Sequence, residues 1–146
     1  MTIPVMICSM ENVSENSPSR SEHVSLDDIQ IEDMGDTVFV TLPEDKGGMV
    51  LEKHDDTLKI SNVSVQESGK GYGTLLYEKV IQYCIDNNLN FESDYGVSPE
   101  VITIYQKMEE KGYEFEKAKL VKKELGKGPR YLSEDYSPAF KLIRPE

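Results

Sequence analysis

The chain lacks any apolar run near the ~20 residues that cross a bilayer, so no membrane segment is expected in its 146 residues. It has only two cysteines, Cys8 and Cys84, far apart and matching no metal or redox spacing. They read as free thiols in a reducing compartment, which points to a cytoplasmic protein. Its two histidines, His23 and His54, stand alone and read as surface residues, and no residue cluster suggests a metal site. The opening "MTIPVMICSMENVSENS" has no basic start and only a short apolar stretch, so a secretory signal is not expected. Bases are scarce. There are 16 against 27 acids, a net charge of −11, and residues 1–46 hold ten of the acids but two of the bases. That balance argues against a broad nucleic-acid-binding surface. It suits steering of a cationic partner such as an amine, and equally it suits plain solubility. No internal repeat is visible.

The length fits one domain over residues 1–146, within which residues 9–35 are a polar segment. "TIPVMI" reads as a short strand, and Ser9 to His23 as a loop or mobile stretch. "VSLDDIQIEDMG" is compatible with a short helix or an irregular strand. "DTVFVTL", "GGMVLEKH" and "TLKISNVSV" read as an antiparallel meander joined by "PEDKGG" and "HDD". Leu75, Leu76, Val80, Ile81, Cys84 and Ile85 recur at helical spacing, which predicts a helix ending at Asp86. "LNFESDY" reads as a strand. In "SPEVITIYQKMEEKGY", Ser98 suits an N-cap, Pro99 the first helical position and Gly112 the residue just past the end. Val101, Ile104, Tyr105 and Met108 make the inner stripe of that helix. "YEFEKAKLVKKE" reads as one strand, "LGKGPR" as a turn and "SPAFKLIR" as a last strand. The expected class is therefore α+β, with a mostly antiparallel central sheet flanked by helices.

Between the third meander strand and the first helix lie Gly69, Gly71 and Gly73, at alternate positions in "VQESGKGYGTLL". Three such glycines are costly in backbone entropy. A glycine loop that opens a helix points several N–H groups, and the positive end of the helix dipole, at one spot suited to a phosphate. Two nucleotide motifs are absent. The last glycine of the dinucleotide fingerprint would fall on Thr74, and no run of glycine, four residues and Gly-Lys-Ser/Thr occurs. A tight strand-to-helix connection without a ligand would also use glycine.

The run from Val63 to Leu76, together with its distance to the Ser98–Tyr113 helix, resembles the coenzyme-A-binding segment of the GNAT superfamily of N-acetyltransferases. In that family a V-x-P strand end precedes an R-G-x-G-x-G/A loop, and a later helix carries N-x-x-A-x-x-x-Y. Here Ser98 falls at the Asn position, Val101 at the Ala, Tyr105 at the Tyr and Gly112-Tyr113 at a following Gly-Phe. The resemblance spans about residues 39–113. The chain departs from the pattern at Val65, in place of the proline, and at Ser68, where the loop opens on Gln or Arg. It also has a longer gap between Tyr105 and Gly112. The two helices that the family places between its first two strands are not promised by the polar stretch from Ser9 to Asp36. "NFESDYGVSPEVITIYQKMEEKGYEF" is further similar to acetyltransferase-like domains of bacteriophages and mobile elements, which would set the protein in a bacterial cytoplasm.

The resemblance implies transfer of an acetyl group from acetyl-CoA to a primary amine by direct attack. The acceptor would be a protein lysine, an N-terminus or a small cationic amine. Val63 and Val65 would pair their backbone with the pantetheine arm of coenzyme A as an added strand. The amides of Gly69, Lys70, Gly71, Tyr72, Gly73 and Thr74 would hold the pyrophosphate, and Ser98 would lie near the arm. Tyr105 would protonate the departing thiolate. Asp94, Glu67 and Glu52 stand near the expected cleft as bases for the ammonium, with Asp94 favoured. The alternative is a degenerate domain of the same fold that binds coenzyme A or a protein partner without catalysis. A weaker rival binds ATP or NAD through the same loop.

Overall fold

A computed structural model describes residues 24–66, 71–126 and 128–145. The expected "TIPVMI" strand, the stretch from Ser9 to His23, and Cys8, Glu67, Ser68, Gly69 and Lys70 lie outside the described residues. Within the 9–35 segment, residues from Val24 onward are built into the fold. A single 3-10 turn, Leu26–Asp28, leads into strand β1, Gln30–Asp33. "VSLDDIQIEDMG" is thus both a short helical turn and a strand, and Ile29 between them is a buried core residue.

Three strands follow: β2 (Thr37–Thr41), β3 (Gly47–His54) and β4 (Thr57–Val65). All four pair antiparallel in chain order, as their β-branched alternation and short connections predict. The inward positions Val38, Val40, Met49, Leu51 and Leu58 are buried. Helix α1, Tyr72–Asp86, lays Leu76, Val80, Ile81 and Cys84 into this core. Strand β5, Asn90–Glu92, returns parallel to β4.

The second half departs from the expected layout. "LNFESDY" is not one strand. β5 ends at Glu92, and a two-residue strand β6, Gly96–Val97, belongs to another sheet. Helix α2, Pro99–Glu110, has the expected ends: the Ser98 hydroxyl accepts the Val101 N–H at 3.3 Å, and Gly112 follows in the left-handed region at φ +104°. "YEFEKAKLVKKE" breaks at Ala118 and Lys119 into β7 (Glu114–Lys117) and β8 (Leu120–Leu125), which serve different sheets. "LGKGPR" is a turn only at its start, because Gly128 opens strand β9, Gly128–Ser133. Gly128 takes φ +116°, and Pro129 sits at the strand's second residue, where its missing N–H costs no pairing with β6. β10, Phe140–Ile143, fits between β5 and β7.

The large sheet therefore runs β1-β2-β3-β4-β5-β10-β7, and a small one runs β6-β9-β8. Among the described residues, only β4 and β5 pair in parallel. The expected α+β class, with a mostly antiparallel sheet and two helices, is the observed one. Among the described residues no helix is long and apolar enough to cross a membrane.

Candidate active site

The parallel pairing of β4 and β5 covers only Thr57 to Lys59 against Asn90 to Glu92. Beyond it the strands diverge. The cause on the β4 side is a register shift against β3, in which Val50 faces Asn62 but Leu51 faces Ile60. Ser61 is the extra residue of a β-bulge, a feature that bends and twists its strand. On the other side the chain leaves the sheet at Ser93. The Ser93 hydroxyl accepts the Phe140 N–H at 3.0 Å and donates to the Asp94 carbonyl at 2.7 Å. The Ser93 side chain, on a residue 1% exposed, thus adds to two backbone bonds that still tie this stretch to β10, Ser93 N–H to the Phe140 carbonyl at 2.9 Å and Ala139 N–H to the Asp94 carbonyl at 3.0 Å.

The divergence leaves a cleft of about 450 Å³. Ile60, Asn62, Val63 and Val65 form one wall. Ser93, Asp94, Gly96, Val97 and Ser98 form the other, with Val101 and Ile104 of α2, Gly73 and Tyr77 of α1, and Arg130 of β9. Along the first wall the backbone of β4 has β3 on one side and no strand on the cleft side, so its outward N–H and C=O groups face open space. An extended ligand with amide groups can complete that edge.

At the head of the cleft stands the start of α1. Gly71 takes the left-handed conformation, φ +78°, and no side chain caps the helix there among the described residues. The first intrahelical bond at this end runs from Leu75 N to Gly71 O at 3.1 Å. Tyr72, Gly73 and Thr74 therefore present N–H groups that the helix itself does not use. A Cβ on Gly71 would meet no atom within 4 Å, so the space beside it is open. Lys46, its ammonium 5.8 Å from the centre of the Tyr72 ring, adds a cation at this end. Uncapped amides, a helix dipole and a cation suit an anion. Gly73 has a different reason to be bare: a Cβ there would lie 3.2 Å from Ile104 Cδ1, so its smallness lets α2 approach α1.

The structure thus brings Val63, Val65, Gly73, Ser98 and Asp94 onto one cleft, with Gly71, Tyr72 and Thr74 at its head. Glu52, one of the three candidate bases, is not among the residues that line the cleft. It lies in the paired middle of the meander, opposite Thr37 and Lys59, and is engaged at 3.3 Å by exposed His54. The residue stands one strand away from the open edge of β4, beside Leu51. Val101 and Ile104, expected as core, line the cleft instead, while Tyr105 and Met108 are the buried pair of α2.

Tyr105 is not on the wall. It is 0% exposed, stacked on Phe140 at 4.0 Å between ring centres and edge-on to Tyr77 and Phe115. Its hydroxyl has no hydrogen-bond partner among the described residues, and the same holds for Tyr72. Burial first, then neighbouring Tyr77, push the Tyr105 phenol well above its ordinary range, with Ser93 pulling slightly the other way. The phenol that does line the cleft is Tyr77, pushed up to about 12 by burial.

Sequence reasoning missed Tyr77, Ser93, Lys46 and Arg130. Tyr77 sits beside Leu76 on the apolar stripe and reads as core. Arg130 belongs to "LGKGPR", which reads as a turn. Ser93 carries no signal in sequence, because its partner, the Phe140 N–H, is 47 residues away.

No family model matches the chain, and no curated protein matches it. Solved structures do. The ribosomal-protein-S18-alanine N-acetyltransferase from Escherichia coli is 12% identical, with a TM-score of 0.49, over 87% of this chain and 76% of that one. An acetyltransferase from Bacillus subtilis, in complex with CoA, is 16% identical with a TM-score of 0.44, over 88% and 91%. A GNAT-family acetyltransferase from Bacillus anthracis is 20% identical with a TM-score of 0.44, over 75% and 66%. The likeness is one of chain path. The chemistry rests on this chain's own residues.

Proposed function

We propose that the chain is a GNAT-type N-acetyltransferase that uses acetyl-CoA and a primary amine. The observation that carries this reading is the splay of the parallel pair β4 and β5, with an open strand edge beside an uncapped helix start. The residues present fit coenzyme A. The amides of Tyr72, Gly73 and Thr74 suit its pyrophosphate, and the sequence resemblance assigns Gly69, Lys70 and Gly71 of the same loop to it as well. The edge at Val63 and Val65 suits the two amides of its pantetheine arm, and Val101 and Ile104 give that arm an apolar flank. Ser98 keeps its N-cap role and faces the same space. When bound, acetyl-CoA supplies an acyl group already activated as a thioester.

The chain's own groups then handle protons. Asp94 is exposed, lines the cleft and accepts its neighbour Tyr95 N–H through one carboxylate oxygen at 2.8 Å. The other oxygen is available to take a proton from an ammonium. Two phenols are candidates for the acid that would protonate the departing thiolate. Tyr105 is the residue that the sequence pattern indicates, with Ser93 between it and the cleft. Tyr77 faces the cleft directly. We assign the acid role to Tyr105, the tyrosine at the position the sequence resemblance marks, whose buried hydroxyl has no hydrogen-bond partner among the described residues. A cytoplasmic, bacteriophage-borne setting belongs to the same reading and rests on the sequence resemblance.

Its competitor is a coenzyme-A-binding module without catalysis, favoured by the complete burial of Tyr105. Calorimetric titration with acetyl-CoA, with ATP and NAD as controls, tests the shared premise. Micromolar binding of acetyl-CoA alone is expected, on the order of −8 kcal/mol. No binding at millimolar concentration defeats both readings.

A further inference from the structure

Arg130 is the one basic side chain, and Asp94 the one acidic side chain, among the described residues that line the cleft. Arg130 reaches the cleft by lying across Gly96. A Cβ on Gly96 would stand in ordinary contact with Arg130 Nη2, at 3.7 Å, but only 2.5 Å from Leu132 Cδ2, so the bare glycine makes room for Leu132 beside the guanidinium. Nη2 donates to the Gly96 carbonyl at 3.0 Å, which fixes one arm of the guanidinium. Among the described residues that is the side chain's one hydrogen bond, and it forms no ion pair. A guanidinium has five N–H donors in a planar fork. Tied at one point and half-buried at the edge of a cleft, it presents the rest in the geometry that matches a carboxylate.

We propose that Arg130 binds a carboxylate of the acceptor, which makes the acceptor a small zwitterionic amine of amino-acid class. The inference rests on the amine-acetylating reading and narrows it. Asp94 on the same cleft complements the ammonium while Arg130 complements the carboxylate. Arg130 acts here as a specificity residue, not as an acid or a base.

The test uses the whole protein labelled with 15N-arginine and two matched probes, N-acetylglycine and N-methylacetamide, which differ by the carboxylate. Arg130→Gln serves as the comparison, since Gln keeps an N–H donor for the Gly96 carbonyl but no charge. The Arg130 Nε–Hε signal should shift saturably with N-acetylglycine, at an affinity at least about tenfold above that for N-methylacetamide, a 1.4 kcal/mol preference. Arg130→Gln should lose that preference while its melting temperature holds. Equal responses to the two probes would overturn the proposal. So would a loss of about tenfold or more in acetyl-CoA affinity in Arg130→Gln with N-acetylglycine binding retained, because the arginine would then serve the cofactor's phosphates. The readout needs no turnover, so failure of acetyl-CoA to bind would sink the transferase reading without imitating either result.

Discussion

The two walls of the cleft are built in different ways. One is a single strand, β4, held in a meander whose neighbours in space are neighbours in sequence. It offers apolar side chains and an open backbone edge. The other is assembled from the end of β5, the Ser93–Tyr95 link, β6, the start of α2 and an arginine from β9. That wall carries the ionisable groups. On the proposed reading, the first wall recognises an arm common to every reaction of the class, for which backbone suffices. The second recognises the acceptor, for which placed side chains are required. A strand edge is insensitive to the identity of its own side chains, whereas a charge pair is not.

The comparison breaks most visibly at the head of the first wall. Gly71→Glu places a carboxylate beside the amides of Tyr72, Gly73 and Thr74, in space that is now open. Losing two hydrogen bonds to a charged group, at about 1.5–3 kcal/mol each, should weaken acetyl-CoA binding by roughly a hundred-fold or more. Gly71→Asn, which tolerates φ +78° and adds no charge, should lose far less. Calorimetry on both, with a melting curve to confirm folding, settles the loop assignment: equal affinities in the two variants would remove it.

The next effect lies where the walls meet the helices. Tyr105→Phe deletes a buried hydroxyl that has no partner. Its stability should hold or rise by about 1 kcal/mol, while kcat should fall about a hundred-fold if the phenol is the acid. Tyr77→Phe is the control, since that phenol faces the cleft. A large kcat loss in Tyr77→Phe with none in Tyr105→Phe would transfer the role to Tyr77, and acetyl-CoA affinity near wild type in both would keep binding out of the comparison.

The same division explains what could be read from sequence. The meander, α1 to Asp86 and both ends of α2 were legible, because alternation, caps and turn residues are local signals. Val63, Val65 and the glycines could be placed for the same reason. The second wall could not. "YEFEKAKLVKKE" is uniformly strand-like, and nothing in it marks Ala118 and Lys119 as the point where the chain passes between sheets. That point is set by β10, over twenty residues later, whose preceding residue Ala139 accepts the Ala118 N–H through its carbonyl at 3.0 Å. Arg130 was hidden because glycine and proline around it signal a turn, whereas here they open a strand. Tyr105 shows the limit of a motif: spacing put it on the right helix face, but only packing shows that four aromatic rings, Tyr77, Phe91, Phe115 and Phe140, surround it.

Ser93→Ala tests whether the second wall depends on single side chains. Removing the hydroxyl leaves the Phe140 N–H buried without its acceptor, while the Asp94 carbonyl keeps its bond from the Ala139 N–H at 3.0 Å. The expected cost is about 1–3 kcal/mol of stability, read from denaturant unfolding. Ser64→Ala, on an exposed position of β4, should cost less than about 0.5 kcal/mol. Similar values for the two would show that the break after β5 is held by backbone alone.

The smallest effect probes the joint between the helices. Gly73 is in the first turn of α1, where replacing glycine by alanine ordinarily gains about 0.5–1 kcal/mol from backbone entropy. The new Cβ would, however, lie 3.2 Å from Ile104 Cδ1, and the two contributions oppose each other. Because the obstructing atom is the tip of a flexible side chain, Gly73→Ala alone should change stability by less than about 1 kcal/mol. Ile104→Val removes that tip. In its background the alanine should recover the full entropic gain, so the cycle should show a coupling of about 0.5–1 kcal/mol. Additive effects would mean that α2 does not press on Gly73, and the bareness of that glycine would then belong, like that of Gly71, to the anion site.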